Sequence, residues 1–195
     1  MKCNKLVELS NLIDLNNLNA LTTIYVYISE KCIGRVALSK ILGVGEREAR
    51  SVINYLKNTN ILTGREETCI NIELIDKYGL KINTVEIGRY NLSLIKIEDR
   101  DLINYIMKHI VKLRDHLVIR TQNPYSIEII GFYNGFKHVI PGLPNYLYDQ
   151  YLEILVKQRM SKNTLFILWN QYRKYYCEAY VTNSLYNICL DILRK

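Results

Sequence analysis

Several classes of function are excluded by what this sequence lacks. None of its apolar runs approaches the ~20 residues that a membrane-spanning helix requires. The segment from Met1 to Leu6 has no continuous apolar core followed by a small-residue cleavage site, so it does not look like a signal peptide. We therefore expect a cytoplasmic protein that does not engage a membrane.

Motifs for catalysis and cofactor binding are also missing. Gly43-Val44-Gly45 lacks the third glycine and the preceding strand of a dinucleotide-binding fingerprint, and no Gly-x-Ser-x-Gly elbow occurs. Of the three histidines, His109 and His116 fall on one predicted helix, roughly 10 Å apart along its axis, which is too far for two ligands of one metal without a third element between them. We expect no enzyme, no cofactor and no metal site.

Cysteine is scarce and shows no pairing signal. The five cysteines are an odd number at wide spacings without a C-x-x-C motif: Cys3, Cys32, Cys69, Cys177 and Cys189. This pattern indicates neither a zinc site nor a disulfide framework. We expect small buried apolar side chains in a reducing compartment.

The composition that is present is typical of a folded protein. The chain has 195 residues, of which 49% are hydrophobic and 23% are charged, enough for one large domain or two small ones. Its net charge is +7, divided into +2 for residues 1–82 and +5 for the remainder. A basic balance suits a nucleic-acid partner, although the excess is not concentrated in the N-terminal part.

Residues 33–72 indicate a winged helix-turn-helix. A first helix is predicted through residues 18–28, with a cap at Asn17 or Asn19. A short amphipathic helix over residues 36–42, a glycine turn and a second helix over residues 46–57 follow, and then a two-stranded ribbon returns at residues 68–72. This order of elements lets one helix enter a DNA major groove.

The helix predicted over residues 46–57 has one apolar face and one polar face. The apolar residues recur at i, i+3, i+4 and i+7 and should face inward: Ala49, Val52, Ile53 and Leu56. Arginine and asparagine on the opposite face suit bidentate contacts to guanine and adenine. The predicted DNA-binding residues are Arg47, Arg50, Ser51 and Asn54 in the major groove, with Arg35, Lys40 and the wing-tip Arg65 on phosphates.

Three runs in this half resemble archaeal and bacterial winged-helix transcription regulators. They are Ile33-Gly34-Arg35, the run from Leu42 to Arg50, and the closing run from Leu74 to Gly79. Isoleucine and aspartate replace the usual threonine and glutamate after the wing, which is short. The resemblance implies a DNA-binding regulator.

Beyond residue 82 the pattern changes to alternating strands and helices. Residues 85–97 alternate as a strand, a long helix capped by Asp99 or Asp101 runs to Leu117, and Asn134-Gly135 joins two apolar runs as a hairpin. A helix over 146–158, a strand over 164–169 and a helix over 174–193 complete the chain. The order β-α-β-β-α-β-α indicates a ferredoxin-like or related α/β domain.

The predicted fold class is therefore α+β, with a winged helix-turn-helix domain at 1–82 and an α/β domain at 83–195. The second domain resembles a C-terminal domain of unknown function in archaeal winged-helix proteins. The resemblance is carried by Lys112 to Asp115, Asn134-Gly135 with Pro141-Gly142, and Phe166 to Leu168 followed by Cys177 to Ala179. It implies an architecture and a regulator, and no known ligand.

Arg114, Asp115 and Glu178 are the candidate effector-binding residues. Arg114 and Asp115 are adjacent on a predicted helix, and Glu178 is on the last helix. They form either a buried arginine–carboxylate network or a site for an anionic effector, because a guanidinium fork holds carboxylate or phosphate. Tyr172, Tyr176 and Tyr180 recur at i+4, as in a core or dimer interface, or alternatively a stacking pocket for an aromatic effector.

These features together predict a transcription regulator that binds double-stranded DNA as a homodimer. The C-terminal domain is expected to dimerise, to sense a small anionic or aromatic effector, or both. The alternative is a protein-interaction module of the transcription or RNA machinery that does not bind specific DNA.

Overall fold

Two units make up the chain in the computed structural model, which describes residues 1–64 and 67–194. The helical unit comprises Asn4–Leu80 and Arg173–Asn187, and the sheet unit comprises Met1–Cys3, Lys81–Tyr172 and Ile188–Lys195. The fold is a mixed α+β fold, with N-terminal helices followed by a five-stranded antiparallel sheet and its helices. The assignment of two functional domains that meet at residue 82 stays a prediction.

The N-terminal part of the chain is built from short helices and a small ribbon. Its elements are α1 (Cys3–Ser10), α2 (Leu18–Glu30), α3 (Arg35–Leu42), α4 (Glu46–Asn58), β1 (Leu62–Thr63), β2 (Cys69–Ile70) and α5 (Ile72–Tyr78). The Asn17 side chain caps α2 by accepting a hydrogen bond from the Ala20 amide, as predicted. Gly43 ends α3 with a left-handed φ of 68°, a conformation that favours glycine.

Residues 173–187 contribute to the core of the helical unit through three side chains. The Tyr25 and Thr182 hydroxyls share a buried hydrogen bond, and burial raises the pKa of Tyr25 well above its usual value. The Asn183 amide donates to the Leu15 carbonyl at 2.8 Å, and the Tyr176 hydroxyl donates to the Leu42 carbonyl at 2.7 Å. Such bonds satisfy groups that would otherwise be buried without partners.

The sheet unit holds five antiparallel strands in the order β3-β4-β7-β5-β6. Its elements are β3 (Asn83–Ile87), β4 (Tyr90–Lys96), α6 (Arg100–Lys108), α7 (Ile110–Thr121), β5 (Ile127–Tyr133), β6 (His138–Val139), α8 (Asn145–Leu155) and β7 (Thr164–Trp169), and α9 (Tyr176–Leu193) follows. Every residue of the central strand β7 is buried, which confirms the predicted buried strand. Trp169 donates its indole N–H to the Ser93 hydroxyl at 2.9 Å.

Two predictions about the elements of this unit are wrong. The run predicted as one strand is the hairpin β3–β4, because Gly88 has a φ of 60° and forms a two-residue turn with Arg89. The predicted long helix is two helices, α6 and α7, since His109 leaves helical geometry with φ −127° and ψ 40°. His109 and His116 therefore do not share one helix.

The sheet order also rules out the ferredoxin-like arrangement itself. In that arrangement the third strand of the β-α-β-β-α-β unit lies between the first and the second. In this chain the first to fourth strands of such a unit correspond to β4, β5, β6 and β7. The fourth strand, β7, lies between the first and the second, β4 and β5, and the third strand, β6, pairs only with β5. The order of elements along the chain does not determine the order of strands in the sheet. The prediction of a domain built from a sheet and helices therefore agrees with the structure, whereas the ferredoxin-like arrangement is wrong.

Four of the five cysteines are paired, contrary to the expectation of reduced thiols. Cys3 is bonded to Cys189 in the sheet unit, and Cys32 is bonded to Cys69 in the helical unit, across 186 and 37 residues of sequence. Such distant partners are brought together by the fold, and spacing alone does not reveal them. Cys177 is free and buried, and burial raises the pKa of its thiol to about 12.

None of the described helices is long and apolar enough to cross a membrane. Disulfides persist mainly in oxidising surroundings, so the two bonds run counter to the argument for a reducing compartment. The cytoplasmic location stays a prediction.

Candidate nucleic-acid interface

The two faces of α4 divide as its sequence predicts. Ala49, Val52, Ile53 and Leu56 are all buried, which confirms the inward face. The opposite face carries the four predicted base-reading residues, and all of them are exposed: Arg47, Arg50, Ser51 and Asn54. They recur at the same i, i+3, i+4 and i+7 positions, so they form one stripe along the helix.

A cleft of about 550 Å³ adjoins this stripe in the helical unit. Arg50 and Asn54 line it from α4, and Arg35 lines it from the start of α3. Lys57 completes the basic lining, although the sequence analysis did not select it. Lys57 lies seven residues after Arg50 and three after Asn54, and this helical spacing could have identified it as part of the same face.

The Arg35 guanidinium is held by a carboxylate of the same surface. Its Nη2 lies 3.0 Å from a carboxylate oxygen of Glu46, which is the first residue of α4. Its Nε is buried and has no hydrogen-bond partner among the described residues. The charge of Arg35 is therefore partly balanced within the protein.

Other acidic residues limit the positive potential of this surface. Glu67 lines the same cleft, and Glu48 accepts a hydrogen bond from the Asn19 amide at 2.9 Å. Glu46 and Glu48 lie in the first turn of α4, where carboxylates stabilise the helix dipole. A phosphate would therefore meet Arg50, one turn further along α4, more favourably than the first turn that carries Glu46 and Glu48.

The remaining predicted phosphate contacts lie apart from the cleft or outside the described residues. Lys40 is exposed in the last turn of α3 and does not line the cleft. Arg65 lies outside the described residues. Just before it, the Gly64 carbonyl accepts a hydrogen bond from the Lys57 ammonium at 2.8 Å.

The Cys32–Cys69 disulfide connects two segments that border the cleft. The Ile33 amide donates to the Thr68 carbonyl at 3.2 Å, and both residues line the cleft. The two sulfurs and a Glu67 oxygen lie within 4.8 Å of one another. Thiolates bind metals, whereas disulfide sulfurs are poor ligands. These three groups therefore do not form a metal site while the disulfide is intact.

The three candidate effector-binding residues do not form the predicted buried network. Arg114 and Asp115 are exposed on α7, because Leu113 and Leu117 take the inward positions. Glu178 is buried and belongs to the helical unit. Arg114 lines a cavity of about 240 Å³ that also contains Glu128, whereas Asp115 does not line it.

The tyrosine stripe is shorter than the sequence predicts. Tyr172 lies before α9, so only Tyr176 and Tyr180 share that helix, with ring centroids 6.3 Å apart. Tyr176 is buried, and the Arg173 guanidinium lies 3.6 Å from the centre of its ring. This environment favours the core interpretation for Tyr176 over a stacking pocket.

Comparison with known proteins gives similarity of fold alone. The structure resembles that of hypothetical protein PH0730 from Pyrococcus horikoshii OT3, with a TM-score of 0.51 over 91% of this chain and 92% of that chain. The two sequences are 12% identical, so the likeness carries no assignment of function. No family model matches the chain. No curated protein matches it either.

Proposed function

We propose that this protein is a transcription regulator that reads double-stranded DNA with α4. The observation that carries the proposal is the exposed stripe of Arg47, Arg50, Ser51 and Asn54, which lies opposite a fully buried apolar face. The order α2, α3, glycine turn, α4 and the paired strands β1 and β2 supports the proposal, because it is the order expected of a winged helix-turn-helix. In that motif the helix after the turn enters the major groove.

The chemistry of the stripe suits both parts of DNA recognition. Arg50 and Arg47 can place guanidinium forks on guanine edges, and Asn54 can hold an adenine edge through two hydrogen bonds. Arg35 and Lys57 flank the stripe at positions suited to phosphates. At ~1.5 Å per residue, the 13 residues of α4 span roughly 20 Å, enough to follow several base pairs of a groove.

The rest of the proposal concerns assembly and regulation. We propose that the chain acts as a homodimer whose two α4 helices lie about one DNA turn apart, ~34 Å, on a palindromic site. The sheet unit would contribute the dimer contact, an effector site, or both. A cytoplasmic location is part of the same proposal.

Selection of genomic DNA fragments by the purified full-length chain is the direct test. Footprinting of recovered fragments should yield a recurring palindrome. Each phosphate contact should lower the slope of log affinity against log salt by about 0.9. Recovery of random fragments with a flat salt dependence would exclude specific DNA binding.

Two double variants that remove the same charge distinguish DNA binding through the α4 stripe from DNA binding through the net positive charge of the protein. The double variant Arg47→Ala and Arg50→Ala should lose specific binding. The control, Lys108→Ala with Lys157→Ala, removes the same charge from exposed positions of the sheet unit. Equal losses in both double variants would attribute the binding to net charge instead of α4.

A protein-interaction role is the second candidate, and the acidic residues around the cleft favour it. Glu46 forms an ion pair with Arg35, and Glu67 lines the same cleft as Arg50. A surface of mixed charge is suited to a protein partner with complementary charges. Absence of any DNA preference, together with capture of a partner that the Arg47 and Arg50 variant no longer binds, would support this role.

A further inference from the structure

We propose that the sheet unit binds a small planar aromatic anion between the β5–β6 hairpin and α8. The cavity there has a volume of about 740 Å³, within the range of ~300–1,000 Å³ typical of small-molecule sites. It is larger than the cavity lined by Arg114, and unlike that cavity it has no acidic residue among its described lining.

A buried and unpartnered histidine lines this cavity. His138 is only 7% exposed, and its Nε2 has no hydrogen-bond partner among the described residues. Desolvation by burial lowers the pKa of His138, so its ring is neutral near pH 7 and offers one donor and one acceptor. A buried polar atom without a partner is costly, so a small side-chain movement that opens Nε2 to a ligand group in the cavity would be favourable.

Aromatic rings form the walls and rim of the cavity. The Tyr133 ring lies 4.9 Å from the His138 ring, and the Tyr148 hydroxyl donates to the His138 carbonyl. Phe136, in the hairpin loop, is 90% exposed although it is large and apolar. Rings arranged in this way can stack on a planar ligand, which would also shield Phe136 from water.

Two cationic side chains give the cavity its charge. Lys137 lies beside His138 on the hairpin, and Arg159 lies in the segment that follows α8. Both are exposed, and neither forms an ion pair within the described part of the chain. Lysine and arginine placed this way suit a carboxylate or a phosphate, and arginine can hold either through two hydrogen bonds.

Rings, a neutral imidazole and two free cations together select an aromatic ring that carries a carboxylate or a phosphate. The inference rests on the proposed function only for the ligand's role as an effector, because binding itself does not require DNA. Nucleotides and aromatic carboxylates share this chemistry. Separate probes therefore test the aromatic ring, the phosphate and the carboxylate.

Titration calorimetry of the full-length chain with four probes tests the proposal. The probes are adenosine monophosphate, indole-3-carboxylate, adenosine and inorganic phosphate. At least one of the two aromatic anions should bind, and it should bind about tenfold or more tightly than adenosine or phosphate, since each lacks either the charge or the ring. The better of the two anions identifies phosphate or carboxylate as the preferred group.

Variants locate the binding. Lys137→Ala with Arg159→Ala should weaken the anion by about tenfold or more, whereas Lys157→Ala, an exposed lysine outside the lining, should not. All three replaced side chains are exposed, so thermal unfolding should be nearly unchanged. In the unaltered chain, the histidine ring resonances should show one imidazole of three responding to the ligand, and that imidazole should be His138.

Three results would overturn the proposal. They are failure of both aromatic anions to bind at millimolar concentration, equal binding by phosphate alone, and undiminished binding by the Lys137 and Arg159 variant. DNA binding measured on the same protein samples reports separately on the proposed function, so either proposal can fail while the other stands.

Discussion

Arg50 combines exposure, a place on the α4 stripe and a place in the cleft, so it is the most informative single residue. Arg50→Ala should weaken specific DNA binding by about 1–3 kcal/mol and relax preference at one base pair. Arg50→Lys keeps the charge and loses the fork, so it should retain most non-specific affinity while losing the preference. Fluorescence anisotropy on the selected site and its single-base variants measures both effects. An unchanged preference in both variants would remove Arg50 from the base contacts.

Glu46 sets how much of the charge of Arg35 is available to DNA. Glu46→Gln breaks the ion pair at 3.0 Å and removes a negative charge from the surface, so DNA binding should strengthen severalfold at low salt. Glu73→Gln is the matched control, because Glu73 also lies in the first turn of a helix, α5, whereas the ion pair with Arg35 is made by Glu46. Both variants lose the same favourable helix-dipole interaction. Equal strengthening in both would assign the effect to net charge alone.

Individual positions differ in how far their sequence reveals them. The stripe on α4 follows from helical spacing, and Lys57 follows from the same spacing even though it was not selected. The exposure of Arg114 was also available from spacing, since Leu113 and Leu117 already occupy the inward face. His138 was not available, because its ring lies near Phe166 of β7 and its carbonyl accepts a hydrogen bond from Tyr148 of α8, and both elements follow it in sequence.

At the scale of elements, signals that act within a few residues predict helix ends correctly, whereas the sequence does not predict which distant strands pair. Asn17 predicts the start of α2, and Gly43 predicts the end of α3, because each acts on backbone groups within a few residues. Gly88-Arg89 was a readable turn inside an alternating run. The break at His109 was not readable, since the apolar spacing from Ile106 to Leu113 continues across it. Sheet order depends on contacts between distant strands, which no short window contains.

The disulfides give a prediction at this scale. Unfolded and unreduced protein should present one reactive thiol, Cys177, to a thiol reagent, and five after reduction. Cys32→Ser with Cys69→Ser opens a 37-residue loop and should lower the free energy of unfolding by about 4 kcal/mol in the chain-entropy view. Chemical denaturation measures the loss. Five reactive thiols before reduction would show that the bonds do not form in solution.

At the scale of the whole molecule, the helical unit is assembled from two distant parts of the chain. Residues 173–187 supply Thr182 and Asn183, which bond to Tyr25 and to the Leu15 carbonyl. Chain order alone suggests a complete N-terminal domain at 1–82, because nothing in the pattern of that segment shows a missing helix. Its apolar contacts are completed only by a segment nearly one hundred residues further along the chain.

A fragment of residues 1–82 should therefore lack cooperative thermal unfolding by circular dichroism. It loses the α9 residues that bond to Tyr25, Leu15 and Leu42, so apolar side chains that are buried in the full chain become exposed to water. Addition of a peptide of residues 173–187 should restore part of the transition, whereas the same peptide with Asn183→Ala should restore less. In the full chain Asn183→Ala should cost about 1–3 kcal/mol, because the Leu15 carbonyl stays buried. Cooperative unfolding of the fragment alone would show that the N-terminal segment is a self-sufficient domain, and the peptide would then have no effect.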